Sequence, residues 1–206
     1  MKIGQIVAVA VLLATAATAA NAQRGIDLAI SGAGVFSKTT ESASGGVTNS
    51  PTTSVAFIGS ARYHFAKHHA VEVNLGHTRN SQIFSVPPDT YRVVTGIGEF
   101  SAAYVFTPWQ SQRFQPFLLA GGGGLRFGVG NTYIDTIQQN LGARSATTLA
   151  FLYGGGTDYH LWKLLSLRLQ YRGLIFRNPD FGASNRFFTG TRGHMAEPSV
   201  GLVVKF

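Results

Sequence analysis

Apolar residues recur at every second position through most of the chain, and a period of two rather than 3.6 predicts half-buried strands instead of helices. Eight such segments follow one another. In the first, Ile26, Leu28, Ile30 and Phe36 share one face and Asp27, Ala29 and Ser31 the other. In "SVAFIGSARYHF", Val55, Phe57, Tyr63 and Phe65 oppose Ser54, Ser60, Arg62 and His64. The third sets Val71, Val73 and Leu75 against Glu72 and Asn74, and the fourth sets Phe100, Ala102, Tyr104 and Phe106 against Glu99, Ser101 and Ala103. In the fifth, Phe117, Leu119, Gly121, Gly123, Leu125 and Phe127 alternate with Leu118, Ala120, Gly122, Gly124 and Arg126. The sixth carries Leu149, Phe151 and Tyr153 on one face and a second glycine run, Gly154 to Gly156. The seventh separates Leu165, Leu167, Leu169, Tyr171 and Ile175 from Ser166, Arg168, Gln170 and Arg172. The eighth separates Pro198, Val200, Leu202, Val204 and Phe206 from Glu197, Ser199, Gly201, Val203 and Lys205.

The connections alternate as well. "AKHH", "TPWQSQR" and "HLWK" are short, whereas "KTTESASGGVTNSPTT", "TRNSQIFSVPPDTY", the stretch 130–146 and "RNPDFGASNRFFTGTRGH" are long, polar and read as mobile solvent-facing chain. Short turns at one end and long loops at the other are the plan of an eight-stranded, antiparallel, up-and-down transmembrane β-barrel. A soluble sandwich or barrel would place its apolar faces inside and coat the outside with charge. Here the charges are sparse. With the polar faces turned to the lumen, Asp27, Arg62, Glu72, Glu99, Arg126, Asp158, Arg168, Arg172, Glu197 and Lys205 all point inward, five acids with five bases. Balance is what a low-dielectric interior requires, since unpaired buried charge is costly.

Composition narrows the class. Residues 1–22, with Lys2, an apolar run from Ile6 to about Ala20 and the small-x-small end Ala20-Asn21-Ala22, read as a signal peptide cleaved before Gln23, which leaves 23–206 as one barrel domain. No cysteine is present, so no disulfide or thiolate chemistry is available. After Gln23 no apolar run is long enough for a spanning helix. The formal charge of +8 falls to +7 without Lys2, and the excess is scattered over Arg24, Arg92, the short-turn residues Lys67, Arg113 and Lys163, and the last long loop. That is no nucleic-acid stripe.

With these features the mature chain resembles the small OmpA-like and opacity-type outer-membrane β-barrel proteins. The ending "VGLVVKF", with Val200, Leu202, Val204 and terminal Phe206 alternating, looks like the signal read by the barrel assembly machinery in that family. The resemblance implies an outer-membrane location, reached by export, and a monomer that meets membrane lipid and lipopolysaccharide. It extends to the barrel domain and not to the peptidoglycan-binding domain of larger relatives. Trp109 and Trp162, both in short turns, fit an interfacial aromatic belt.

Candidate chemistry is thin. "GGGGLRFGVGN" offers neither the lysine nor the helix of a phosphate loop and lies inside a strand pattern. His68 and His69 sit at a turn without acids at ligand spacing, so no metal is expected. His77 beside Thr78, and His194, were the positions to weigh for a lipid A hydrolase, but neither has a serine and acid in a recognisable pattern, and no cofactor is implied. The expected role is therefore non-catalytic, in envelope structure or surface interaction, with a narrow porin-like pore through the lumen as the alternative. Arg62, Glu72, Glu99, Arg126, Asp158, Arg168, Arg172 and Glu197 form the expected lumen network, and Arg177, Arg186 and Arg192 are candidate contacts for lipopolysaccharide phosphates. The glycine runs are expected to lie opposite each other on neighbouring strands and to leave room for long arginines.

Overall fold

The computed structural model describes residues 25–43, 45–183 and 187–206. The expected signal peptide and Arg186 lie outside them. Eight long strands carry the fold: β1 (Ile26–Ser37), β4 (Ser54–Ala66), β5 (His69–Val86), β6 (Asp89–Phe106), β7 (Phe114–Ile134), β9 (Ala146–His160), β10 (Leu165–Arg177) and β11 (Arg192–Lys205). Three short strands, β2 (Thr40–Glu41), β3 (Thr48–Pro51) and β8 (Ile137–Gln138), decorate one end. Every long strand pairs antiparallel with its neighbours, and β1 pairs with both β4 and β11, which closes the sheet into a barrel without edges.

Closure makes the alternation physical. Ile30, Phe57, Leu75, Phe100, Leu149, Leu169 and Leu202 are exposed on the outside, while Asp27, Arg62, Glu72, Glu99, Asp158, Arg168, Arg172 and Glu197 are buried inside. That is the inverse of a soluble barrel, and it suits a hydrocarbon surround.

The strands are unequal, and this corrects the expected loops. β5 and β6 each span 18 residues and β7 spans 21, against 12 for β1 and 13 for β10. A bilayer needs only about 9–11 tilted residues, so this side of the barrel projects beyond the membrane. The stretch expected as the loop 78–91 is a continuation of the β5–β6 hairpin, in register from Thr78↔Ile97 to Val86↔Asp89. Its polarity concealed it, because a strand outside the bilayer has no need of an apolar outer face.

β7 is the second correction. Phe117, Leu119, Leu125 and Phe127 are buried inside, and Leu118 and Arg126 are exposed outside, the reverse of the expected assignment. From Pro116 to Gly130 both faces of β7 are apolar or glycine apart from Arg126, so that single charge sets the expected orientation. The interior wants bulk here. Phe117 lies under two arginines, with the Arg62 guanidinium 4.2 Å and that of Arg168 5.1 Å from its ring.

The glycine runs do sit on neighbouring strands, but staggered. Gly121 pairs with Leu152 and Gly124 with Leu149, whereas Gly154 pairs with Leu119 and Gly156 with Phe117. Register follows which face each strand must bury, and that condition overrides any matching of glycines. The inward members permit close strand approach: a Cβ on Gly121 would fall 2.1 Å from the Ala102 carbonyl oxygen, and one on Gly154 would fall 2.2 Å from that of Tyr171.

Candidate functional site

Inside the barrel the charges form two layers. In the layer nearer the short turns, Arg62 stands opposite Glu72 on adjacent strands and donates from Nε to Glu72 Oε2 at 2.9 Å. Arg168 grips Asp158 with both ends of its fork, Nε to Oδ1 at 2.7 Å and Nη2 to Oδ2 at 3.0 Å, the bidentate geometry in which arginine pairs most strongly. Its remaining nitrogen, Nη1, crosses the lumen from β10 to Glu72 on β5 at 3.0 Å. Arg62 likewise crosses to Asp158 at 3.7 Å. Lys205 donates to Gln115 at 2.6 Å and lies 3.8 Å from Asp158, and Asp27 is hydrogen-bonded to the His64 imidazole at 2.8 Å. Three bases, Arg62, Arg168 and Lys205, thus meet three acids, Asp27, Glu72 and Asp158.

The second layer, further toward the long loops, is built on Arg172. Its Nε donates to Glu197 on the adjacent strand at 3.1 Å, and its Nη2 reaches across to Glu99 on β6 at 2.6 Å. Ser101 donates to the other oxygen of Glu99 at 2.6 Å. With Arg126 outside, this layer holds two carboxylates and one guanidinium, so the expected five-to-five balance becomes an excess of one acid.

Beyond Arg172 the lumen carries uncharged groups, with Asn49, Gln82, Asn80 and Thr95 buried and hydrogen-bonded in a chain, and then an aromatic cap that the alternation pattern did not reveal. Phe181 and Phe187, from the connection between β10 and β11, are buried in the mouth. Phe187 stacks on Phe84 at 4.7 Å and meets the edge of Tyr91 at 5.7 Å. Phe181 makes edge contacts with Phe84 at 6.1 Å and Phe127 at 6.3 Å. Asn178 ties the cap to β2 through a 2.7 Å bond to the Thr40 hydroxyl. Between cap and ionic layers, the cavities that share Ile97 and Met195 are each about 10 Å³, the size of one water. The sequence signal for the cap is the phenylalanines Phe181, Phe187 and Phe188 in a loop otherwise rich in polar and small residues.

An eight-stranded barrel with an apolar exterior and charged core agrees with the family comparison, in which residues 6–206 match the model of the outer membrane protein β-barrel domain. The chain belongs to that family. Its place is the outer membrane. Among solved structures, Ail, the attachment invasion locus protein of Yersinia pestis, in complex with the heparin analogue sucrose octasulfate, is similar at a TM-score of 0.55 and 14% identity, over 90% of this chain and 100% of that one. The outer membrane protein OprG from Pseudomonas aeruginosa is similar at 0.52 and 13%, over 90% and 96%. These likenesses concern the fold. A search of curated proteins gives no match.

The remaining sequence candidates fall on the outer surface of this outer-membrane barrel or at its ends. Val200, Leu202, Val204 and Phe206 all face outward on the closing strand or just past it. Trp109 and Trp162 are exposed in the short turns. Arg177 and Arg192 stand directly opposite each other at the long-loop ends of β10 and β11. His77 points outward while its neighbour Thr78 points inward and bonds to Ser54, so the two do not converge. His194 is bonded to Tyr153, not to a serine or an acid. His68 is bonded to the Thr107 carbonyl and His69 to the Tyr104 hydroxyl, and the described residues hold no group of three metal-ligating side chains.

Proposed function

We propose that this outer-membrane barrel is non-catalytic and non-conducting, a sealed monomeric scaffold that presents its long-loop end to the cell surface and to lipopolysaccharide. The observation that carries the reading is the pair of cross-lumen bridges, Arg168 to Glu72 and Arg172 to Glu99, stacked beneath a buried aromatic cap. An eight-stranded interior is only just filled by side chains, and here they meet in the middle. Under this reading Arg177 and Arg192, and Arg186 in the same loop, face phosphate at the outer boundary. Trp109 and Trp162 anchor the opposite interface, and the outward residues Val200, Leu202, Val204 and Phe206 serve assembly. Residues 1–22 act as the export signal.

Solute uptake by proteoliposomes tests the reading. Release of small sugars and ions no faster than from empty vesicles is expected, together with an unchanged lipid A acyl pattern when the protein is expressed. Rapid uptake would remove the sealed scaffold, and a trimmed lipid A would remove the non-catalytic role.

A narrow pore is the second reading, and specific observations favour it. Glu72 Oε1 and Arg172 Nη1 are buried without a hydrogen-bond partner, and the Arg172 layer has a surplus carboxylate. Polar atoms of that kind are where a thread of water would bind. Cation-selective uptake lost in Glu99→Gln is the result that distinguishes it.

A further inference from the structure

The outward face at the outer ends of β1, β10 and β11 gathers three cations. Arg177 and Arg192 are directly opposed across β10 and β11, and Lys38, whose backbone N–H donates to the His194 carbonyl at 2.9 Å, extends the group onto the end of β1. All three are exposed, and among the described residues none forms an ion pair. The nearest acid along the chain from Lys38, Glu41, approaches its own turn at Gly45 instead. Like charges placed directly opposite on paired strands are destabilising, so the pair fits a site whose missing member is an anion.

Beneath the cations lies a set of hydroxyl and imidazole groups. His194 shares the outer face of β11 with Arg192, two residues away, and its Nε2 is 2.8 Å from the Tyr153 hydroxyl, with the two rings stacked at 6.1 Å. To reach β11 from β9, the Tyr153 ring crosses Gly173 of β10, where a Cβ would fall 2.4 Å from it. Gly173 therefore makes the crossing possible. The Tyr171 phenol is exposed on the same outer face of β10. Phenols and an imidazole on a lipid-facing surface belong at its polar boundary, and below them, toward the short turns, the paired residues Leu169 and Val200 are exposed and apolar. Cations, then hydroxyl and imidazole donors, then hydrocarbon are the sequence of groups that a phosphorylated amphiphile would meet.

We propose that Lys38, Arg177, Arg192, Tyr153 and His194 seat a phosphomonoester headgroup of an outer-leaflet glycolipid, its acyl chains lying against Leu169 and Val200. The proposal rests on the reading of lipopolysaccharide as a partner and assigns it one place on the barrel. The test uses purified full barrel in nanodiscs and measures, by native mass spectrometry, retention of bisphosphorylated lipid A against the same lipid A enzymatically dephosphorylated. Wild type is expected to favour the phosphorylated lipid by about tenfold, the Arg177→Gln/Arg192→Gln variant to lose that preference, and Tyr153→Phe to lose about threefold. Heat-modifiable gel migration of each variant verifies that it is folded. Equal retention of both lipids by wild type would remove the partner reading and the seat together. A tenfold preference untouched by the variants would remove the seat alone. Displacement of the lipid by millimolar inorganic phosphate would make this a free-phosphate site and overturn the lipid assignment.

Discussion

The lumen closes twice, by different means. At the membrane level the closure is ionic, and its partners come from strands far apart in the chain, Arg168 and Glu72 being 96 residues apart and Arg172 and Glu99 73. At the outer mouth the closure is aromatic, and one connection, 178–191, supplies Phe181 and Phe187 to meet Phe84, Tyr91 and Phe127. The rigid wall of strands fixes the first, so its groups face each other without further ordering of backbone. The second depends on a loop folding inward, and such a segment opens at less cost than the barrel unfolds. Under the proposed sealed scaffold the ionic layers set whether the barrel is closed, and the cap sets what reaches them.

The sharpest way to break the comparison is Arg168→Ala, which strands Asp158 without its main partner and takes the cross-lumen bridge from Glu72. A loss of about 3–5 kcal/mol is expected in urea unfolding of the bilayer-embedded barrel, because a buried charge is left uncompensated. Arg168→Met together with Asp158→Leu should recover much of it, since no carboxylate is then stranded at that position. Next in size is the wall itself. Gly121→Ala should cost about 1–3 kcal/mol in the same assay, as its methyl would meet backbone that cannot yield, while Gly124→Ala, with nothing within 4 Å, should be silent.

Phe187→Ala should act on the cap alone. Cleavage within 178–191 is expected to accelerate about tenfold, the equivalent of about 1.4 kcal/mol in the opening equilibrium, with the barrel's own unfolding little changed. The smallest effect is expected from Arg126→Ala. An exposed outward arginine should shift stability by no more than about 0.5 kcal/mol, whereas an arginine in the lumen network would cost as much as Arg168.

The two closures also differ in how far the sequence showed them. Strand alternation made the ionic layers visible, because Arg62, Glu72, Arg168 and Glu197 each break an otherwise small or polar face opposite a continuous apolar one. It failed at β7, where both faces are apolar and the lone charge of Arg126 misled. Outside the bilayer the same period persists in Asn80, Gln82 and Phe84, all buried, but without lipid to demand an apolar outer face it reads as loop. Phe181 and Phe187 carry no period at all. Their burial comes from how a connection folds over a mouth it did not help to build, and the Tyr153 contact with His194 likewise depends on register across two strand pairs and on the absence of a side chain at Gly173.

Single-channel recording in planar bilayers tests the double closure most directly, with wild type compared against Phe84→Ala/Phe187→Ala, the variant that removes the cap and leaves the ionic layers whole. Both are expected to be silent at ordinary voltages while remaining folded by gel migration. A steady ohmic conductance from the folded wild type, or from the uncapped variant, would contradict closure by the Arg168 and Arg172 bridges.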